Sequence, residues 1–258
     1  MLYPLIIIVS IYKCGSMTNN QSDKKELKFK LVKAMLTHVP FDGWGWDSLE
    51  QGAVDIAFEK KLNSEGRKTI YQNLFKNGPI DFIETFSEMI DDQMEESYHS
   101  LVSKPDRIPQ KIKTLILIRL HLCQKYKEAV RSSISLTAIP KNSKKSLKIL
   151  YRTCHRIWKM AGDTSTDFSF YTKRISLAAV YSSTLLFWLN DVSSKEDETS
   201  AFLDRRLYDI SQISNLKKPF STLKKINKNI NNKKNSLGVK SFLDIFKKIN
   251  QVRKSSFS

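Results

Sequence analysis

Apolar residues recur every three to four positions along most of this 258-residue chain, and the alternation typical of β-strands is weak. In the segment ELKFKLVKAMLTHV, residues 26–39, the apolar side chains fall on one helical face: Leu27, Leu31, Met35 and Val39. Gly78 and Pro79 then close one predicted helix and open the next. The sequence therefore predicts an all-α fold of about nine or ten helices without a sheet.

Caps and helix-breaking residues set the predicted boundaries. Asp47, either Asn142 or Ser143, and Ser194 are suited to begin helices, and Gly162 is suited to end one. The side chains of residues 175–189 are apolar nearly all round, which predicts a helix at the centre of the bundle. The predicted helices cover 26–39, 46–58, 64–75, 79–98, 110–138 with a break near Arg131, 144–161, a segment from within 161–174 to 189, and 194–214.

The formal net charge of +17 is concentrated at the C-terminus, where residues 217–258 carry twelve Lys and Arg against the single acid Asp244. Such a tail indicates an anionic partner, either nucleic acid or a lipid surface, or else a solubilising tail. Residues 215–236 are rich in Asn and Lys and predict a linker. Residues 237–258 predict a short basic amphipathic helix, which either packs back on the body or, as we favour, binds a membrane surface. Its predicted membrane-binding residues are Phe242, Leu243, Phe246, Lys247 and Lys248.

The N-terminal segment MLYPLIIIVSIY is apolar but too short to span a bilayer, and it lacks the basic start and cleavage site of a secretory signal. We interpret residues 1–16 as upstream translation, with Met17 as the natural start. The three cysteines, Cys14, Cys123 and Cys154, lack zinc-binding or disulfide spacing and indicate a reducing compartment.

Catalytic and metal-binding patterns are weak in this sequence. Glu96 and His99 form one Glu-x-x-His step, which di-iron bundles use in two copies, but the residues three before His121 and His155 supply no second copy. The sequence also contains no glycine-rich phosphate loop and no nucleophile elbow. We therefore predict a protein that is not an enzyme and uses no cofactor or metal, and a hydroxylase is the weakest of the functions considered.

A DNA-binding function is the stronger alternative. Three short helices followed by a longer helical bundle are the layout of TetR-type regulators, whose helix-turn-helix lies at the front. Residues 44–76, however, carry five acids and five bases, and contact with phosphate requires net positive charge. The sequence therefore favours a regulator-like fold without nucleic acid as its partner, and a TetR-type ligand-responsive regulator is kept as the alternative.

The stretch AGDTSTDFSFYTKR, residues 161–174, places acids, hydroxyls, aromatic rings and cations between two apolar runs that each contain Trp. Asp163 to Thr166 can cap the following helix, which accounts for part of the polar content. Phe168, Phe170 and Tyr171 lie within one turn and cannot all face one core. We expect at least one exposed aromatic ring beside Arg174, which is the character of an interface anchor.

Together with FDGW at 41–44, FKNGPIDFIETF at 75–86 and FLDRRL at 202–207, the run WKMAGDTSTDFSFYTKRISLAAVYSSTLLFWLND resembles the ubiquinone biosynthesis accessory protein family. The resemblance extends over about residues 26–215, the segment that holds these motifs. The sequence departs from the family pattern in having Phe170 where Trp is common, and in its C-terminal region.

The resemblance implies a TetR-like fold that holds isoprenoid lipid, meets the membrane through a C-terminal amphipathic helix, and docks on the di-iron demethoxyubiquinone hydroxylase. By motif position, Phe170 and Tyr171 match the aromatic pair of the docking patch, to which we add Asp163, and Arg174 matches an arginine that contacts lipid phosphate. The implied partners are this hydroxylase, other ubiquinone-biosynthesis proteins, an anionic membrane and a second copy in a homodimer. The implied location is the cytoplasmic side of a bacterial inner membrane, or the matrix side in a mitochondrion.

The apolar run that follows Arg174 is the candidate lipid pocket. Small side chains such as Ala178 and Ser182 alternate there with large ones and leave room for a prenyl chain. The predicted lipid-binding residues are Arg174, Tyr181, Leu185 and Trp188, and the predicted lipid is an isoprenoid quinone precursor or a phospholipid. The alternative is a tightly packed core helix, which the sequence does not distinguish from a pocket.

These interpretations divide the chain into five predicted regions. Residues 1–25 are a leader or upstream translation without regular structure, and 26–78 are a degenerate helix-turn-helix-like segment of three helices. Residues 79–214 form the helical lipid-binding bundle, 215–236 the linker, and 237–258 the membrane-binding helix.

Overall fold

A computed structural model describes residues 21–59, 63–166, 168–193 and 197–215, and every regular element in these ranges is helical. The prediction of an all-α, TetR-like helical bundle is confirmed for this part of the chain. Residues 1–20 of the predicted leader, 216–236 of the predicted linker and the predicted membrane-binding helix, with Phe242, Leu243, Phe246, Lys247 and Lys248, lie outside the described residues. Residues 21–25, which were predicted to lack regular structure, are helical, and so is Asn215. Within the described ranges, no helix has the length and hydrophobicity needed to cross a membrane.

The helix bounds follow the predicted apolar runs closely. The helices are α1 Gln21–Met35, α2 Val39–Asp42, α3 Trp46–Asp55, α4 Ser64–Leu74, α5 Pro79–His99, α6 Ile108–Cys123, α7 Lys127–Thr137, α8 Ser143–Met160, α9 Phe168–Asn190 and α10 Asp197–Asn215, with 3₁₀ turns at Gln124–Tyr126 and Pro140–Asn142.

Several predicted boundaries are wrong. The first helix spans Gln21–Met35 rather than 26–39, and Val39–Asp42 forms a separate short helix. The break expected near Arg131 lies at Gln124–Tyr126 instead, where the ring of Tyr126 packs edge-on against Phe86 at 5.7 Å between centroids. Asp47 is not a cap, because Gly45 takes the N-cap position of α3 and Asp47 lies in the first turn. The break at Gln124–Tyr126 coincides with a tertiary aromatic contact, which local propensity does not encode.

The described chain forms two compact units. One contains the described residues up to Gln93 together with Leu122–Asn142, and the other contains Met94–His121 and the described residues from Ser143 onward. The five-region division and its boundary after residue 78 stay a prediction.

The first unit is built on a close approach of α1 to α3. A Cβ atom added at Gly52 would lie 2.5 Å from the backbone nitrogen of Met35, so only glycine fits there without a backbone shift. Trp44 is buried beside these helices and donates its indole N–H to the carbonyl of Ala129 at 2.9 Å. These contacts fix the helices that occupy the helix-turn-helix-like positions.

The second unit contains α8, α9 and α10. Gly162, at φ 94°, ends α8 in the left-handed region that favours glycine, as predicted. Asp191 accepts hydrogen bonds from the backbone N–H and the hydroxyl of Thr199 and so holds the first turn of α10. The predicted cap Ser194 lies outside the described residues.

Helix α9 was expected at the centre of the bundle, and in the structure it is buried on one side only. Trp188, Tyr181 and Leu177 are buried on one side of the helix, whereas Ile175 and Leu186 are exposed. An apolar composition all round a helix does not require burial all round, because many apolar atoms of a folded protein stay in contact with water. Helix α9 therefore has an inward face and an outward face.

Candidate docking and ligand site

The segment 161–166 links the end of α8 to α9 and brings two polar helix ends together. The indole N–H of Trp158 donates to the carbonyl of Lys173 at 2.9 Å, which ties the last turn of α8 to the second turn of α9. The ammonium group of Lys173 also lies 5.4 Å from the centre of the Trp158 ring. These contacts hold Lys173 beside Trp158, where α8 and α9 meet.

Asp163 is the centre of this arrangement, with a side chain that is only 1% exposed. Its carboxylate accepts from the Ser165 hydroxyl at 2.7 Å, from Lys173 Nζ at 2.8 Å and from Arg174 Nη1 at 3.0 Å. Burial alone would raise the pKa of Asp163, but the hydrogen bonds from Lys173, Ser165 and Arg174 outweigh it and hold the pKa well below the usual range. Asp163 is thus a buried carboxylate that binds two cations.

Arg174 points inward, with a side chain only 3% exposed. Besides Asp163, its Nη1 donates to the carbonyl of Phe170 at 2.8 Å, and its guanidinium carbon lies 3.3 Å from the centre of the Phe170 ring. A guanidinium over an aromatic face is attracted by the ring quadrupole. Arg174 therefore fixes both the backbone and the ring of Phe170 from beneath.

His155 completes the shell around Arg174. Its Nδ1 accepts from Arg174 Nε at 3.1 Å, which places the imidazole proton on Nε2 in the neutral tautomer. Burial lowers the pKa of His155, and the positive charges of Arg174 and Lys159 lower it further. The histidine is neutral at neutral pH and serves as a hydrogen-bond acceptor.

Four rings form a continuous series that we call the aromatic ladder: Tyr151, His155, Phe170 and Tyr171. Tyr151 stacks on His155 at 6.1 Å with an interplanar angle of 13°, His155 contacts Phe170 at 5.9 Å, and Phe170 meets Tyr171 edge-on at 5.2 Å. Tyr151 is 42% exposed and Tyr171 is 59% exposed. The prediction of an exposed aromatic ring in this stretch is confirmed by Tyr171.

The residues predicted to bind lipid occupy the inward side of α9. Arg174, Tyr181 and Trp188 are spaced seven residues apart and all are buried, and Leu185 is half-buried. Arg119 on α6, which is buried as well, donates to the Tyr181 hydroxyl and lies over its ring. Beside them, the buried Thr184 hydroxyl has no hydrogen-bond partner in the described part of the chain.

Several members of this site were not predicted from the sequence. Tyr151 and His155 are four residues apart on the amphipathic helix α8, and that spacing was the available signal. Arg119 is a lone cation in the apolar run TLILIRLHL, which also marked it. Arg174 was expected to contact lipid phosphate, but nothing in the sequence indicated that Asp163 binds both Lys173 and Arg174.

The site contains groups that bind rather than groups placed for proton transfer. His155 Nδ1 already accepts from Arg174, and the Asp163 carboxylate is engaged by Ser165, Lys173 and Arg174. The described residues, Glu96 and His99 among them, hold no group of three or more His, Cys, Asp or Glu side chains that could hold a metal ion. Tyr151 and Tyr171 of the aromatic ladder are exposed, and aromatic residues of this kind are enriched at protein interfaces.

Comparison with known proteins agrees with the resemblance described above. A family model described as COQ9 matches residues 143–214, which include the whole 161–174 segment. The chain is 26% identical over 210 residues to the mitochondrial ubiquinone biosynthesis protein COQ9-B of Xenopus laevis, with 79% of this chain and 69% of the relative covered. It is 25% identical to mitochondrial COQ9 of Rattus norvegicus and of Homo sapiens, with 76% of this chain matched in both cases. These two matches span 62% and 61% of the relatives' length. The resemblance to the ubiquinone biosynthesis accessory protein family is confirmed.

The substitution Asp163→Asn is expected to lower the free energy of unfolding by about 3 kcal/mol at pH 7, because it leaves two cations beside a buried amide. The matched control is Asp204→Asn, since Asp204 also pairs with a lysine but is largely exposed, and its loss should cost less than about 1 kcal/mol. Chemical denaturation at pH 7 measures both. Equal effects of the two substitutions would contradict the central role of Asp163.

The same carboxylate predicts a pH dependence. Because the pKa of Asp163 is lowered in the folded state, its stabilisation is complete above the ordinary aspartate pKa of about 3.9 and is lost as the pH falls below that value. The wild-type protein should therefore lose more stability between neutral and acidic pH than Asp163→Asn does. Parallel stability curves for the two proteins would argue against the shift.

Proposed function

We propose that this chain, which resembles the ubiquinone biosynthesis accessory proteins, is a non-enzymatic lipid-binding protein of ubiquinone biosynthesis. In this proposal it binds isoprenoid quinone precursors at a membrane and presents them to the di-iron demethoxyubiquinone hydroxylase. The names of the relatives support the pathway and a mitochondrial location. In a bacterial source, the corresponding place is the cytoplasmic side of the inner membrane.

The observation that carries this proposal is the support of Phe170 by Arg174. Arg174 forms hydrogen bonds with Asp163, His155 and the Phe170 carbonyl while lying under the Phe170 ring. A buried charge network of this kind is costly to assemble. The network holds the Phe170 ring in place, and Tyr171 is exposed beside it. Aromatic residues are enriched among the anchors of protein interfaces.

The departure from the family pattern at Phe170 is compatible with docking. Arg174 meets the π face of the ring, and a phenyl face serves for this contact as an indole face does. The indole N–H that a tryptophan would supply is absent. Docking through Phe170 therefore depends on apolar contact rather than on a hydrogen bond from this ring.

The substitution Tyr171→Ala is expected to abolish capture of the hydroxylase in a pull-down while the melting temperature stays unchanged, because the side chain is largely exposed. The matched control is Tyr208→Ala, since Tyr208 on α10 is 63% exposed and lies in the same unit. Tyr208→Ala should leave capture intact. A large loss of stability in Tyr171→Ala would show that the residue serves the fold, and equal capture by both variants would contradict docking.

The inward side of α9 supports lipid binding by its composition. Tyr181 and Trp188 supply large apolar surfaces, and the guanidinium of Arg119 and the hydroxyl of Thr184 are polar groups among them. A buried hydroxyl without a partner is unfavourable in a closed core, and a ligand carbonyl or hydroxyl would satisfy it. We propose that Thr184 hydrogen-bonds the head group of the bound quinone precursor.

The substitution Thr184→Val is expected to reduce the isoprenoid quinone that co-purifies with the protein about fivefold, since one hydrogen bond contributes about 1 kcal/mol. Ser183→Ala is the matched control, because the Ser183 hydroxyl already donates to the carbonyl of Val180 within its own helix. Lipid extraction and mass spectrometry measure both variants. Unchanged lipid content with a raised melting temperature would show that Thr184 is an unsatisfied core hydroxyl and that this side of α9 is core.

Membrane attachment is proposed for the predicted basic helix at 237–258. Its apolar residues would enter the interface, and its lysines would meet anionic lipid. Deletion of residues 237–258 should weaken sedimentation with anionic liposomes strongly and sedimentation with neutral liposomes little, while the melting temperature stays the same. Binding that is unchanged after the deletion would remove the anchoring proposal.

A further inference from the structure

The outward face of α8 carries a line of cations that leads into the aromatic ladder. Helix α8 contains six Lys and Arg and no acid in its 18 residues. Three of its lysines are exposed and follow one another at helical spacing with Tyr151 and His155 between them: Lys144, Lys148 and Lys159. We call this line the basic stripe, and it is about 22 Å long at 1.5 Å per residue.

The basic stripe and the aromatic ladder form one continuous surface. Tyr151 and His155 belong to both, since they lie on α8 between the lysines and stack toward Phe170 on α9. At this junction Asp163 is buried and bound to Lys173 and Arg174, and the neighbouring Arg156 of α8 pairs with Glu95. The surface therefore presents exposed tyrosines and lysines together.

We propose that the basic stripe extends the docking surface and binds an acidic segment of the protein that docks on the aromatic ladder. This inference rests on the docking role proposed above. Tyr151 would be a second anchor besides Tyr171, and Lys144 and Lys148 would meet carboxylates of the partner. Charge complementarity of this kind steers association and selects the partner.

A membrane is a poorer occupant of this surface. Helices that lie in a membrane interface bury an apolar face in the lipid, whereas the apolar face of α8, with Ile149, Cys154 and Ile157, is buried within the protein. The residues of α8 that stay exposed are three lysines and Tyr151. A second copy of the chain is disfavoured as well, because an isologous contact would bring two basic stripes together.

The test uses the purified demethoxyubiquinone hydroxylase as the probe and the double substitution Lys144→Glu with Lys148→Glu. Both residues are exposed and lie in the first two turns of α8, where acids suit the helix dipole, so the fold should be kept. The matched control is Lys104→Glu with Arg107→Glu, which reverses two exposed charges elsewhere in the same unit. Melting temperatures verify folding in all variants.

We expect the double substitution on α8 to slow association with the hydroxylase about tenfold at low salt, with a smaller effect at high salt. The control should stay within about twofold of the wild type. A carbodiimide, which joins lysine amines to neighbouring carboxylates, should link Lys144 or Lys148 to an Asp or Glu of the hydroxylase. Unchanged association, or cross-links that avoid both lysines, would overturn the inference.

The outcomes separate this inference from the proposed function. If Tyr171→Ala loses the hydroxylase but the α8 double substitution does not, the aromatic docking stands and the acidic partner segment is wrong. If the wild type does not bind the hydroxylase, both fall. If the double substitution instead weakens capture by cardiolipin-containing vesicles or by RNA while hydroxylase binding is kept, the stripe serves a membrane or a nucleic acid, and the inference is likewise overturned.

Discussion

The buried ion pair between Asp163 and Arg174 is the interaction on which the candidate site depends. A carboxylate that is almost fully buried requires more than one partner, and Asp163 has Lys173, Arg174 and Ser165. Replacing such a network by apolar residues would often cost nothing in stability. In this protein the network fixes the position of Phe170. The guanidinium that neutralises Asp163 also donates to the Phe170 carbonyl and lies against the Phe170 ring.

This arrangement gives α9 an inward and an outward side of different character. The inward residues Arg174, Tyr181 and Trp188 repeat every seven positions and face the interior of their unit. Tyr171 precedes Arg174 by three residues and is exposed. Arg174 touches both sides, since it lies inward yet contacts Phe170, whose ring leads outward to Tyr171. A displacement of the Arg174 side chain would therefore also move the ring of Phe170, which contacts the exposed Tyr171.

Much of the fold was predictable because the signals were local. Helical spacing of apolar residues gave the all-α class, and Gly162 and Pro79 marked helix ends through their own backbone preferences. The break at Gln124–Tyr126 was not predictable, because it coincides with a contact between Tyr126 and Phe86 that are forty residues apart in sequence. Arg119 and Tyr181 likewise meet only in three dimensions.

The segment that contains the candidate site was predicted from the sequence, but the directions of its side chains were not. Composition alone showed that residues 161–174 contain more aromatic and charged groups than capping uses, and Tyr171 is indeed exposed. Sequence gives no direction for a long flexible cation, so the hydrogen bonds of Arg174 to Asp163, His155 and the Phe170 carbonyl were not predicted.

These facts bear on the proposed role of Arg174 toward lipid phosphate. With His155 neutral, the cluster holds one carboxylate and two cations, Lys173 and Arg174, so it keeps a net positive charge. The hydrogen bonds described here engage Nε and Nη1 of Arg174. A net positive charge of this kind would attract a phosphate group. Protonation of His155, by contrast, would remove the acceptor for Nε and place another positive charge against the guanidinium. The hydrogen bonds of Arg174 therefore require a neutral His155 as well as an ionised Asp163.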